Sequence, residues 1–403
     1  MIPARRRLES RALKLQIASD RRSLDQKARQ ISELNHKRRS HGWIHAVYDV
    51  GPPPVTRVFK RGDFESTGAE VPPGFLRILP HPQTEAMLAR PRSSTTSGRR
   101  TALALWLTNP DSPASALAAR VMVNRIWQHL LGIGLADNSE NLGMSGSRPT
   151  HPQLLDWLAA EFRANGWKIK PVIRQIVMST AYQQASARPS TPGLNHTLTS
   201  TASRDPQNTL LWRTRLRRLD AEALRDAITS HAGKLDASLG GPPIPLTYDL
   251  KTGDVAEMEL SDTTPAYRRS VFLVNRRLYN PTFLSVFDKP TVTRGVCRRD
   301  QSTTALQSLS LMNDRFLVAN AQRCASRIQA QARCSAMDPI HEAYRLILSR
   351  LPDVDEHNWC TESLARQTAL FQKAGHSADD AARRALANLC QTLWGTSEFL
   401  YLR

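Results

Sequence analysis

The chain has 403 residues, 40% hydrophobic and 23% charged, which suits a globular protein with two or three domains and a sizeable core. Apolar runs stay well short of the ~20 residues that span a bilayer, so no membrane-spanning helix is predicted. With 55 Lys and Arg against 36 Asp and Glu the net charge is +19, which attracts polyanions and is screened by salt.

The chain opens on Met1-Ile2-Pro3-Ala4-Arg5-Arg6-Arg7, basic like the start of a signal peptide. No apolar stretch follows, so no export signal is predicted. Residues 1–42 form a basic segment; within 1–41, 12 Lys or Arg face 4 Asp or Glu. A helix is predicted over 4–39, where Ile17, Leu24 and Ile31 recur every seven residues and Leu13 and Leu34 flank them. That spacing makes a coiled-coil seam that needs a partner helix.

Residues 43–79 carry β-rich runs, Trp43–Val50 and Val55–Phe59, separated by Gly51-Pro52-Pro53-Pro54, and predict a small β element. Residues 80–99, rich in Pro, Ser, Thr and Arg, read as a linker. Residues 100–403 read as a helical domain. Its helices are predicted over 114–131, from about 152 to Gly166, over 170–184, from Asp220 to Gly233, and over 303–333, 339–350, 356–373 and 378–395. A polar loop at 186–205 and an irregular insertion at 234–268 interrupt them, and Ser270–Val274 reads as a strand. The fold class is therefore mainly α, a multi-helix domain with a small β element and a long N-terminal helix.

Cys297, Cys324, Cys334, Cys360 and Cys390 make no C-x-x-C pair and no C-x-x-C-H site for covalent haem. An odd count at wide spacing argues against a disulfide framework, and Cys324 and Cys390 fall at core positions of helices. Six tryptophans, at 106, 127, 157, 167, 212 and 394, lie mostly at core spacing. No phosphate-binding loop, nucleophile elbow, zinc-protease helix, calcium loop or dinucleotide fingerprint is present. No cofactor, metal or haem is predicted.

Four constellations are candidates for chemistry. Asn124, Arg125, Gln128 and His129 share a helix, with Asn124–Gln128 and Arg125–His129 four apart, as a polar network or a metal-binding or catalytic His129 would require. His151 follows Thr150, the expected N-cap of a capping box with Gln153. Asp63, in Lys60-Arg61-Gly62-Asp63, fits a turn better than an adhesion motif. Arg298, Arg299, Ser302 and Thr303 precede an apolar-periodic helix, so a hydroxyl cap, free N–H groups and two guanidiniums would make an anion pocket. The same residues would also serve a capped helix whose arginines pair with acids such as Asp288 or Asp300.

Several motifs in fixed order carry a family resemblance. They are Val58-Phe59-Lys60-Arg61-Gly62-Asp63, Ala104-Leu105-Trp106-Leu107-Thr108, Arg120 through His129, Gly132-Ile133-Gly134-Leu135 and Pro149-Thr150-His151-Pro152. Leu154-Leu155-Asp156-Trp157-Leu158-Ala159, the segment from Phe287-Asp288-Lys289-Pro290 to Asp314, and Thr396-Ser397-Glu398-Phe399-Leu400-Tyr401 complete the set. From about residue 43 onward the chain resembles the C-terminal domain of large planctomycete proteins that often carry a cytochrome c-like module. That family, numbered fifteen-fifty-three, is of unknown function. The resemblance implies an upstream companion domain, here absent, so the chain resembles the C-terminal half of a split or truncated protein. It further implies a binding or assembly module that works with the companion in extracytoplasmic polymer handling, with helix 4–39 contacting that partner. Two alternatives stand beside it: a hydrolase of sulfated or acidic saccharides, and a nonspecific polyanion or nucleic-acid binder.

Overall fold

The computed structural model describes residues 53–80, 96–186, 201–241, 243, 244, 246–248, 255–257, 267–275, 281–291, 295, 296 and 298–402, with Arg21, Ser23, Leu24, Gln26, Lys27, Arg29, Gln30 and Ile31. Most of the predicted helix 4–39, the Trp43–Val50 run, most of the linker, the core of the polar loop, Arg276, Arg277 and Cys297 lie outside the described residues. The described residues of the first stretch, 21–31, are helical. Chain contacts place residues 1–46 with 238–243 in one unit and the rest in a second.

The second unit is mainly helical, with short strand pairs. It starts with an antiparallel hairpin, β1 (Arg57–Phe59) and β2 (Thr67–Glu70), closed by a tight turn at Lys60–Gly62. The hairpin exit lays Phe75 flat on Trp106 of α1 (Arg99–Thr108), ring centroids 4.9 Å apart. α2 (Pro113–Leu131) begins where Ser112 caps the Ala114 N–H and Pro113 takes the first turn, which needs no donor there. It ends at Gly132, whose φ of 89° favours glycine. A Cβ there would also stand 2.8 Å from the Arg217 side chain. α3 (Pro152–Ala164) and α4 (Ile169–Val177) complete a first core, in which Val123, Leu155, Phe162 and Val172 are buried.

A second core gathers α5 (Ala221–His231), α6 (Thr282–Val286), α7 (Ala305–Asn313), α8 (Arg315–Ser335), α9 (Pro339–Leu348), α10 (Val354–Lys373), α11 (Ala378–Trp394) and α12 (Ser397–Leu400). α8 buries Leu317, Ala321, Cys324 and Ile328 at three- and four-residue spacing against Ala385, Leu386 and Cys390 of α11. Cys324 and Cys390 are thus fully buried thiols. Strand β3 (Arg217–Arg218) pairs with β6 (Tyr401–Leu402), tying the end of the chain to the segment before α5. Within the predicted insertion, β4 (Leu246–Tyr248) pairs with β5 (Val255–Glu257).

Several local expectations differ from the structure. The helix expected over 303–333 is two helices. Asp314 takes an extended backbone between them and its carboxylate caps the Phe316 N–H, so one residue ends α7 and starts α8. Ser270–Phe272 is a 3-10 turn rather than a strand, and only Leu273 bridges, to Ile244. α4 stops at Val177, because Ser179 bonds back to the Ile176 carbonyl. His151, not Thr150, is the N-cap of α3, since the Thr150 hydroxyl faces the Leu135 carbonyl at 3.3 Å. Trp157 is 52% exposed, whereas Trp106, Trp127 and Trp394 are core. Among the described residues no helix is long and apolar enough to cross a membrane.

Candidate functional site

The Phe287–Pro290 turn and the Ser302–Gln307 segment meet at one carboxylate. Asp288 sits at φ 63°, a left-handed conformation that aspartate tolerates better than most residues. Its Oδ2 accepts the Ser302 backbone N–H at 2.8 Å and the Arg218 Nη2 at 2.5 Å; its Oδ1 accepts the Ser302 hydroxyl at 2.8 Å. β3 delivers Arg218, whose side chain is 5% exposed. Its other nitrogen, Nη1, donates to the Ser302 carbonyl at 2.5 Å and to Gln307 Oε1 at 3.0 Å. Gln307 also closes a capping box with Thr304 at the start of α7 and donates to the Val286 carbonyl. Burial pushes the Asp288 carboxyl up, but the Ser302 N–H, the Arg218 guanidinium and the Ser302 hydroxyl outweigh it and hold it below the ordinary range.

The donors expected at this helix start, a free N–H, a hydroxyl and a guanidinium, are thus gathered, and they hold the chain's own carboxylate. The guanidinium is Arg218 rather than Arg298 or Arg299. Arg299 grips Glu222 with both nitrogens, at 2.5 and 3.2 Å, with Asp220 at 3.9 Å. Burial pushes the Glu222 carboxyl up, yet the Arg299 bonds hold it low. Lys289, beside them, is pushed down by burial. Arg298 meets Asp137 at 2.9 Å with both side chains more than half exposed, and Thr303 is exposed.

The constellation on α2 divides by face. Asn124 is fully buried. Its Nδ2 donates to the Ala136 carbonyl at 2.9 Å and its Oδ1 accepts the Ala136 N–H at 2.9 Å, as a strand neighbour would. Ser139 links it to Gln128, accepting from Asn124 at 3.1 Å and donating to Gln128 Oε1 at 2.7 Å. The loop is pressed so close that a Cβ on Gly134 would stand 2.6 Å from the Ala136 carbonyl. Arg125 and His129 stand on the exposed face of α2. The His151 ring stands 3.0 Å from Oγ1 of its neighbour Thr150. Asp63 accepts the Glu65 N–H at 3.0 Å within its turn. Among the described residues His129, His151 and Asp63 share no hydrogen bond or ion pair.

Folding brings arginines from separate segments, 213–217 and 298, toward one acid. Arg215 feels the charge of Asp137, the acid that Arg298 holds, and that of Arg213. Burial, the larger effect, pushes Arg215 down. It is anchored to the Gln207 and Asn208 carbonyls at 2.5 and 3.2 Å. Arg213 lies over the Trp212 ring at 4.9 Å, and Arg217 donates to the His129 carbonyl at 2.5 Å. Asp137 thus pairs with Arg298 and lies within electrostatic reach of Arg215, whose stronger acidic neighbour is Asp205.

A cluster with metal-ligand chemistry lies elsewhere. Asp338, the N-cap of α9, points Oδ2 at His341 Nδ1 (3.1 Å) and at His357 Nε2 (2.7 Å) of α10, and the three donor atoms lie within 4.8 Å of one another. Its only sequence signal is the short run from a capping Asp338 to His341, since His357 joins through the α9–α10 packing.

A family model described as "Protein of unknown function (DUF1553)" matches residues 99–364, about two thirds of the chain. No curated protein and no solved structure matches it.

Proposed function

Since the chain belongs to the DUF1553 family, we propose that it is a binding module for an anionic polymer, held on the face that carries Arg213, Arg215 and Arg298. The observation that carries this reading is that Asp137, paired with the exposed Arg298 at 2.9 Å, lies near Arg215 and so brings arginines about 80 residues apart in sequence onto one face. Repeated phosphate, sulfate or carboxylate groups would complete the pairing of that face, and Arg suits their planar geometry. By contrast, the Asp288 node already holds its own anion, which favours binding over the saccharide-hydrolase alternative.

Charge reversal tests it against a heparin oligosaccharide. Arg213→Glu with Arg298→Glu is expected to weaken binding about tenfold or more and to flatten the log–log salt dependence by about 2. The charge-matched pair Arg366→Glu with Lys373→Glu, exposed on α10, is expected to change it little. Equal weakening by both pairs would mean that net charge alone acts, and the face would have no special role.

A second reading rests on a separate observation. Leu24 and Ile31, seven residues apart on the described helix, are 65% and 59% exposed. This supports the basic leading segment as a seam for a partner helix, a second copy of the chain being the first candidate. Light scattering of the full chain is expected to show a dimer that Leu24→Glu with Ile31→Glu dissociates. A monomer throughout the micromolar range overturns self-pairing.

A further inference from the structure

We propose that Asp338, His341 and His357 bind one divalent transition-metal ion of the zinc class. Two imidazoles from different helices converge on the same oxygen, Oδ2, at 3.1 and 2.7 Å. Their rings stand 5.0 Å apart and tilted by 35°, so each offers an edge nitrogen to a common point. Ligand atoms around a tetrahedral zinc, at about 2.0–2.1 Å from the ion, stand about 3.3 Å from one another. The two nitrogen–oxygen separations need to open by about 0.2 and 0.6 Å, and the two nitrogens lie within 4.8 Å of each other.

The site is built rather than incidental. The other carboxylate oxygen, Oδ1, caps the Ile340 N–H, which fixes the plane of Asp338. The first turn of α10, which carries His357, is set by a capping box between Asp353 and Glu356. Arg350 then locks that turn, gripping Glu356 at 2.7 Å and Glu398 of α12 at 2.8 Å. Glu342 on α9, with Asp355 and Glu356 on α10, sets negative charge against the positive ends of the two helices. All three ligand side chains are about one third exposed, between 34% and 37%, so an ion can reach them and keep a water as its fourth ligand. Two nitrogens and one oxygen favour zinc and its neighbours over magnesium or calcium. The simpler use of these groups is a capping aspartate that accepts two imidazole N–H bonds, and it takes up no metal.

The test is zinc titration of the full, tag-free, chelator-stripped chain by calorimetry, with visible absorption after cobalt substitution. One ion per chain and a tetrahedral cobalt spectrum are expected, with a rise in Tm. His341→Ala and His357→Ala should each weaken binding about tenfold or more. Asp338→Asn should weaken it too while keeping the Oδ1 cap, so that lost metal cannot be ascribed to lost folding. His376→Ala, which removes another histidine, about one third exposed and beside an aspartate, should leave it unchanged. Uptake by Asp338→Asn and His357→Ala equal to that of the parent, or an equal loss in His376→Ala, overturns the proposal.

Discussion

Asp288→Ala is expected to destabilise the protein by about 3–5 kcal/mol, read by urea denaturation. The size follows from what is left behind rather than from the ion pair itself. Arg218 would remain 5% exposed with no counter-charge, and the Ser302 N–H and hydroxyl would lose their acceptor. Alanine would also have to hold a φ of 63°, which costs about 1–2 kcal/mol more than for a residue suited to it. Asp288→Asn separates these contributions. It keeps the left-handed conformation and a carbonyl oxygen for Ser302 but removes the charge opposite Arg218. Its expected cost is smaller, about 1–3 kcal/mol. Equal stability of Asp288→Ala and the parent would mean that the node does not hold the β3 segment to α7.

Acidification from pH 7 to pH 4 is expected to remove up to about 3 kcal/mol through His231 alone. Burial pushes its pKa from 6.5 to about 4, with the Arg327 charge adding to the effect. His231 ends α5, where the helix dipole would favour a cation, so burial outweighs the dipole. Trp394, fully buried, donates its indole N–H to His231 Nδ1 at 3.1 Å. That bond needs Nδ1 unprotonated. The sign follows: below pH 6.5 the unfolded chain takes up a proton that the folded chain refuses until about pH 4, so stability falls across that window. Glu356, held near 2 first by Arg350, and Asp288, whose pKa is lowered, add further losses as the pH falls below their unfolded values of 4.5 and 3.8. His231→Gln keeps an acceptor for Trp394 and is expected to flatten the slope between pH 6.5 and 4. An unchanged slope would assign the acid sensitivity to other groups.

What could be read from the sequence follows how far apart the interacting residues lie. The mainly α class was legible because α8 and α11 repeat apolar residues every three or four positions, and those residues are the core. The cysteines at 324 and 390 were placed inside by the same periodicity. A hydroxyl cap before α7 was visible in the sequence, but not that Thr304 supplies it with Gln307 closing the box. Arg218, by contrast, finds Asp288 at a separation of 70 residues and Gln307 at 89, and Arg298 finds Asp137 at 161. Nothing local marks such choices, so the sequence could place arginines near Asp288 but not select Arg218. The break at Asp314 was hidden because the apolar period runs through it. His341 and His357 sit on separate helices, and only the packing of α9 on α10 makes them neighbours. The buried half of the α2 constellation, Asn124 and Gln128, was anticipated as a polar network, but Arg125 and His129 look outward instead.

The most direct measurement compares thermal stability and heparin-oligosaccharide affinity, side by side, in Asp288→Asn and in Arg213→Glu with Arg298→Glu. Asp288→Asn should melt earlier and bind like the parent while folded. The double variant should melt like the parent and bind about tenfold more weakly. If Asp288→Asn instead loses affinity at unchanged stability, the node at Ser302 is itself the binding site, and its role as an internal clamp is contradicted.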